Sequence, residues 1–144
     1  MRHHSNIGRL PLKVLFIIRG KKGTTGVPFI VSQMQSLQAL GVETDVFRIH
    51  GNGLQVYFLQ AWSLRKLIRK NRYDILHAHY GLCGLTALLA CTGKPLVVSM
   101  MGSDVLGEFI RSDQTSLRSK ITVALGWFVQ FFADRIIAKS RNIH

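Results

Sequence analysis

Lys13–Arg19 (Lys-Val-Leu-Phe-Ile-Ile-Arg) is an unbroken apolar run of strand length, closed at both ends by a cation. A strand that alternates apolar and polar residues can leave one face in water. An unbroken run needs cover on both faces, which suits a central parallel strand. Gly20–Gly26 follows, with three glycines beside Lys21, Lys22, Thr24 and Thr25. Val27–Leu40 then shows helical spacing in Phe29, Ile30, Met34, Leu37 and Leu40, with Pro28 in the first turn and Gly41 as the stop. The unit is strand, glycine loop, helix.

The alternation continues. Glu43–Ile49 reads as a second strand, and Val56–Asn71 as an amphipathic helix. Val56, Leu59, Trp62 and Leu67 are expected to face inward, and Arg65, Lys66, Arg69, Lys70 and then Arg72 make one basic end. Asp74–Ala78 is a third strand, Leu82–Cys91 a helix of small residues, and Leu96–Met100 a fourth strand after Lys94-Pro95. Gly102-Ser103-Asp104 is a turn, Glu108–Lys120 a polar connection, Ile121–Phe132 a long helix and Arg135–Ala138 a fifth strand. Strands and helices alternating at this spacing specify parallel βαβ units with right-handed crossovers. The expected fold is α/β, a Rossmann-like, doubly wound parallel sheet over residues 13–144, with residues 1–12 a loose lead-in. The chain stops just after a strand, with no closing helix, and is expected to be part of something longer.

With 144 residues, 47% of them apolar, the chain suits one domain with a proper core. Its 19 Lys and Arg against 7 Asp and Glu leave a net charge of +12. That excess favours a polyanionic partner: nucleic acid, an anionic membrane surface or phosphorylated small molecules. Nucleic acid is the weakest of the three, because the cations are not interleaved with aromatics on any strand platform. The basic helix end, with Tyr57, Phe58 and Trp62 nearby, suits a membrane interface; the plainer reading is an ordinary packed helix with a solvated face. No secretory signal opens the chain, and Ile121–Ala133 is shorter than the roughly 20 residues that span a bilayer. Cys83 and Cys91 fall about two helical turns, roughly 12 Å, apart, too far for a disulfide, and are expected to be buried reduced thiols.

In such a sheet the loops at the carboxyl ends of the strands share one edge, where ligands bind. Four of these ends carry notable residues: Gly20–Gly26, His79-Tyr80-Gly81, Met101-Gly102-Ser103-Asp104 and Ser140. The glycine loop offers close backbone approach and a helix start for an anion, but matches neither usual phosphate fingerprint. His77 and His79 lie two apart and so face the same way on a strand. Zinc usually takes at least three protein ligands, and only Asp104 offers itself as a third, so no metal is assigned. His77 is expected to be a hydrogen-bonded structural residue, and His79, nearer the strand end, a ligand contact. Asp104 fits either a turn cap or an acceptor for a sugar hydroxyl, and Ser140 a helix cap or a ligand contact.

The order of these motifs resembles the amino-terminal, acceptor-side domain of glycosyltransferase family 4, whose members have the GT-B fold. The similar pieces are Lys13–Ile18, Thr25-Gly26-Val27, Leu40–Val46, Asp74–Gly81, Lys94–Ser99 running into Gly102-Ser103-Asp104, and Asp134–Ser140. The resemblance implies transfer of a sugar from a nucleotide-sugar donor to a saccharide or lipid-linked acceptor. It also implies retention at the anomeric carbon, usually without a metal, and no cofactor. Thr25 and Gly26 would lie beside the donor diphosphate, and His79, Gly102, Asp104 and Ser140 would share the cleft. A lipid-linked acceptor at the cytoplasmic face of a membrane would explain Trp62, Arg65, Lys66, Arg69 and Lys70. The family's donor-binding second domain has no counterpart in these residues, so this chain alone is expected to be inactive. Two positions depart from the family pattern. Thr25-Gly26 stands where Gly-Gly is frequent, and Met101 where a histidine commonly precedes Gly-x-Asp. Methionine cannot shuttle a proton, so no catalytic base is assigned. The alternative reading is a non-catalytic anion- or membrane-surface-binding module.

Overall fold

The computed structural model describes residues 10–20, 28–100 and 117–138. Among these residues five strands alternate with four helices: β1 (Lys13–Arg19), α1 (Pro28–Ala39), β2 (Glu43–Ile49), α2 (Gln55–Lys70), β3 (Ile75–His79), α3 (Gly81–Leu89), β4 (Leu96–Met100), α4 (Leu117–Phe132) and β5 (Arg135–Ala138). All pair in parallel in the order β2-β1-β3-β4-β5. Residues Val14–Ile18 of β1 are buried on both faces, as an unbroken apolar run in a central strand requires.

Two cores flank the sheet. On one face Val14, Phe16 and Ile18 pack against Ile30, Met34 and Leu37 of α1. On the other, Leu15, Ile17, Leu76, Ala78, Val98 and Met100 pack with α2, α3 and Val129 of α4. Right-handed crossovers dictate this split. The chain moves one way from β1 to β2 and the other way ever after, so among the described helices α1 lies alone on its face.

The amino-terminal edge is fastened by two aspartates used alike. Asp74 Oδ2 accepts from the Lys13 amide at 2.9 Å while its own amide donates to the Lys13 carbonyl at 2.8 Å. Asp134 does the same for Leu96, at 2.8 and 3.0 Å. Each aspartate precedes one strand and fixes the start of its neighbour, which sets register before any side chain packs. Asp45 joins this edge: Tyr73 Oη donates to it at 2.8 Å, and Lys13 Nζ lies 3.4 Å away.

The structure departs from expectation in three places. The buried stripe of α2 is Tyr57, Ala61, Leu64 and Ile68, with Val56 and Leu67 partly buried. Leu59 and Trp62 point outward, 71% and 64% exposed. Ala61 is small and Tyr57 has a polar partner, so hydrophobicity alone is a poor guide to the inner face. Leu40, the last of the helically spaced residues, lies just past α1 and is exposed. Cys83 is buried, but Cys91 lies beyond the end of α3 with φ 49° and is exposed. Helix α4 begins at Leu117, four residues earlier than its apolar run, so the end of the polar connection is helical. Among the described residues no helix is long and apolar enough to cross a membrane.

Candidate functional site

The strand order reverses between β1 and β3, and crevices at the carboxyl edge open at such a reversal. Arg19 and Gly20 end β1 there, and His79 and Tyr80 end β3. The sequence puts these residues together for a simple reason. Both strands run out of apolar residues at the same edge, β1 into a cation and β3 into a polar–aromatic pair before Gly81.

The histidine pair lies on the α1 face. The rings of His77 and His79 stack with centroids 4.4 Å apart, and each lies against Phe16, at 5.0 and 5.5 Å. Phe29 of α1 meets His79 edge-on at 6.0 Å. His77 Nε2 and Ser99 Oγ share a hydrogen bond of 2.8 Å, which places His77 as a bonded residue of the interior. His79 is 3% exposed, and neither of its ring nitrogens has a hydrogen-bond partner among the described residues. Buried polar atoms are nearly always paired, and leaving one unpaired costs about 1–3 kcal/mol. His79 is therefore a polar group at a strand end whose partner is not in the described fold. Burial pushes both imidazoles down to about 4, with the neighbouring His77 adding to the effect on His79. Both are neutral near pH 7. Stacked rings turn their faces to each other rather than converging their lone pairs. Among the described residues no three His, Cys, Asp or Glu side chains gather as a metal site.

Tyr80 joins β3 to α3 with φ 89° and ψ 138°, a conformation that costs a non-glycine residue about 1–3 kcal/mol. Its amide donates to the Ser99 carbonyl at 3.0 Å, and its carbonyl accepts from the Gly84 amide at 3.2 Å. The strained turn is thus held from β4 and from α3.

Arg19 was not singled out among the sequence candidates, although a cation closing a buried strand beside a glycine was the signal for it. It is exposed at the end of β1. Its guanidinium donates to Tyr57 Oη through Nη1 and to the Gly51 carbonyl through Nη2 at 2.9 Å, and lies 5.5 Å from the centre of the Tyr57 ring. Tyr57 is itself buried, and its carbonyl accepts from Thr86 Oγ1 of α3 at 3.0 Å. The loop beyond β2 is tied down too, since Gln60 bonds both the amide and the carbonyl of His50.

Thr25, Gly26, Gly102, Asp104 and Ser140 lie outside the described residues, as does Met101. Of the surface set on α2, Trp62, Lys66, Arg69 and Lys70 are exposed and Arg65 is half-buried. Lys66 Nζ sits 5.7 Å from the centre of the Trp62 ring. Trp62, expected inward as part of the core and outward as part of a surface patch, takes the outward place.

The solved structure of sucrose-phosphate synthase from Thermosynechococcus elongatus is similar in fold, with a TM-score of 0.66 over 87% of this chain at 12% identity. The match takes in 41% of the synthase, so this chain spans less than half of its length. A comparison with curated proteins gave no significant match. The family model for Glycosyltransferase Family 4 matches residues 30–144, most of the chain and all of its elements from Ile30 of α1 onward. With that match and a parallel Rossmann-like sheet in agreement, the chain belongs to glycosyltransferase family 4.

Proposed function

We propose that this chain is the acceptor-side half of a retaining glycosyltransferase, moving a sugar from a nucleotide-sugar donor to a lipid-linked or saccharide acceptor at the cytoplasmic face of a membrane. The observation that carries the reading is His79. A buried imidazole with both nitrogens unpartnered among the described residues stands at the strand reversal of a family 4 chain, where a substrate hydroxyl would complete it. Being neutral near pH 7, it can accept such a bond at one nitrogen and donate at the other. Thr25 and Gly26 would meet the donor diphosphate, and Gly102, Asp104 and Ser140 the sugar or acceptor. The donor nucleotide would sit on a second domain, in keeping with the share of the synthase that the chain spans.

The test is sugar transfer from a panel of nucleotide sugars, measured by product NMR so that anomeric configuration is read directly. The 144-residue chain is expected to transfer nothing alone. The polypeptide that joins it to a donor-binding domain is expected to give a retained product, and His79→Ala to cut its rate at least about tenfold. Transfer by the isolated chain, or an inverted product, would refute the reading. A second reading, a non-catalytic module that docks on anionic surfaces, is favoured by the outward Trp62 and the cations of α2. It is distinguished by binding to vesicles with no transfer in any polypeptide containing the chain.

A further inference from the structure

The described carboxylates are distributed unevenly. Glu43, Asp45, Asp74 and Asp134 all stand at or near the starts of strands, at the amino-terminal edge. Among the described residues the ends of the strands carry no carboxylate; β1 and β2 end there in Arg19, Arg48 and His50. Gly20 lies against the last two of these, because a Cβ at that position would sit 3.2 Å from Arg48 Cβ and from His50 Cε1. Among the described residues Arg19 is oriented by neutral groups, the Tyr57 hydroxyl and the Gly51 carbonyl, and forms no ion pair. Those two bonds occupy two of the five N–H donors of a guanidinium. A rigidly aimed cation with spare donors and an uncompensated charge is the geometry that recognises a planar or tetrahedral oxyanion.

We infer that Arg19, positioned by Tyr57 and the Gly51 carbonyl, anchors an oxyanion-binding site at the carboxyl ends of β1 and β2, which takes a phosphate or carboxylate group of a substrate. The inference rests on the glycosyltransferase reading for the word substrate, but not for the binding. Arg19 contacts the anion; Tyr57 is a positioning residue that fixes the guanidinium.

The experiment is a titration of the 144-residue chain at low salt with inorganic phosphate, glycerol phosphate, acetate and a nucleoside diphosphate, followed by amide chemical shifts. Saturable binding is expected with shifts at Gly20 and Gly51, weakened at least about tenfold in Arg19→Gln. Tyr57→Phe should weaken it a fewfold with little change in melting temperature. Lys94→Gln, which removes one exposed charge at the opposite edge, should bind as the parent does. Arg19-dependent binding of the nucleoside diphosphate alone assigns the anion to the donor. Dependence for glycerol phosphate or acetate assigns it to the acceptor. Equal affinity of the parent and Arg19→Gln for every probe overturns the site. Because no transfer is measured, loss of the glycosyltransferase reading and loss of this site are separate results.

Discussion

His77 and His79 point the same way on one strand, yet among the described residues only His77 has a hydrogen-bond partner. What they share is burial against Phe16, with no carboxylate near them on β1, α1 or β4 among the described residues. An unfolded imidazole titrates near 6.5, whereas these are held at about 4. Between those values the unfolded chain binds protons that the fold refuses. Stability present above about pH 6.5 is therefore lost as pH falls toward 4, by about 2 kcal/mol per imidazole between pH 7 and 5. Thermal melts across that interval should show a steep fall, and His79→Phe, which keeps an aromatic ring in the stack, should flatten it. Identical melting temperatures at pH 7 and 5 would rule this out. The roles of the two residues were legible in part. Two-residue spacing at a strand end announced a pair, and proximity to the end separated a structural member from a candidate contact. Depth was not legible. Enclosure of His79 by Phe16 and Phe29 needs β1 and α1 to be in place, and spacing along one strand cannot report that.

Among the elements, α3 shows how a glycine seam sets the spacing of a layer. A Cβ on Gly84 would come within 2.6 Å of Val129 Cγ1 and 3.1 Å of Val98 Cγ2, whereas one on Gly81 would meet only ordinary contacts at 3.5 and 3.6 Å. Alanine is worth up to about 1 kcal/mol more than glycine inside a helix, but overpacking costs about 1–3 kcal/mol. The clash wins at position 84, because α4 and β4 close on it from two sides. Gly84→Ala is expected to destabilise the chain by about 1–2 kcal/mol in urea unfolding, and Gly81→Ala to stay within about 0.5 kcal/mol of the parent. A neutral Gly84→Ala would mean that α3 and α4 can part freely. The strands were the most legible elements, since apolar runs between glycine and proline signals leave few choices. The inner face of α2 was not. Tyr57 and Ala61 are poor markers of burial by hydrophobicity, and the contacts of Tyr57 with Arg19 and with Thr86 of α3 exist only once the fold is in place.

For the molecule as a whole, the outward Trp62 and the cations that follow it on α2 bear on the proposed membrane surface. Co-flotation with anionic vesicles is expected to fall with salt, and to fall at least about tenfold when Arg65, Lys66, Arg69 and Lys70 are reversed to Glu. Flotation indifferent to that reversal would show that the face is merely solvated. The sheet order has a kinetic consequence as well. Lys13 and Asp74, which fasten β1 to β3, are 61 positions apart, against 38 for Leu96 and Asp134, which fasten β4 to β5. Closing the longer loop costs more chain entropy, and contacts of high sequence separation slow folding. The β1–β3 seam is also where the strand order reverses. The half of the fold proposed to recognise substrate is therefore built on the pairing that the chain must reach furthest to make, and exchange of its amides with solvent would time that step.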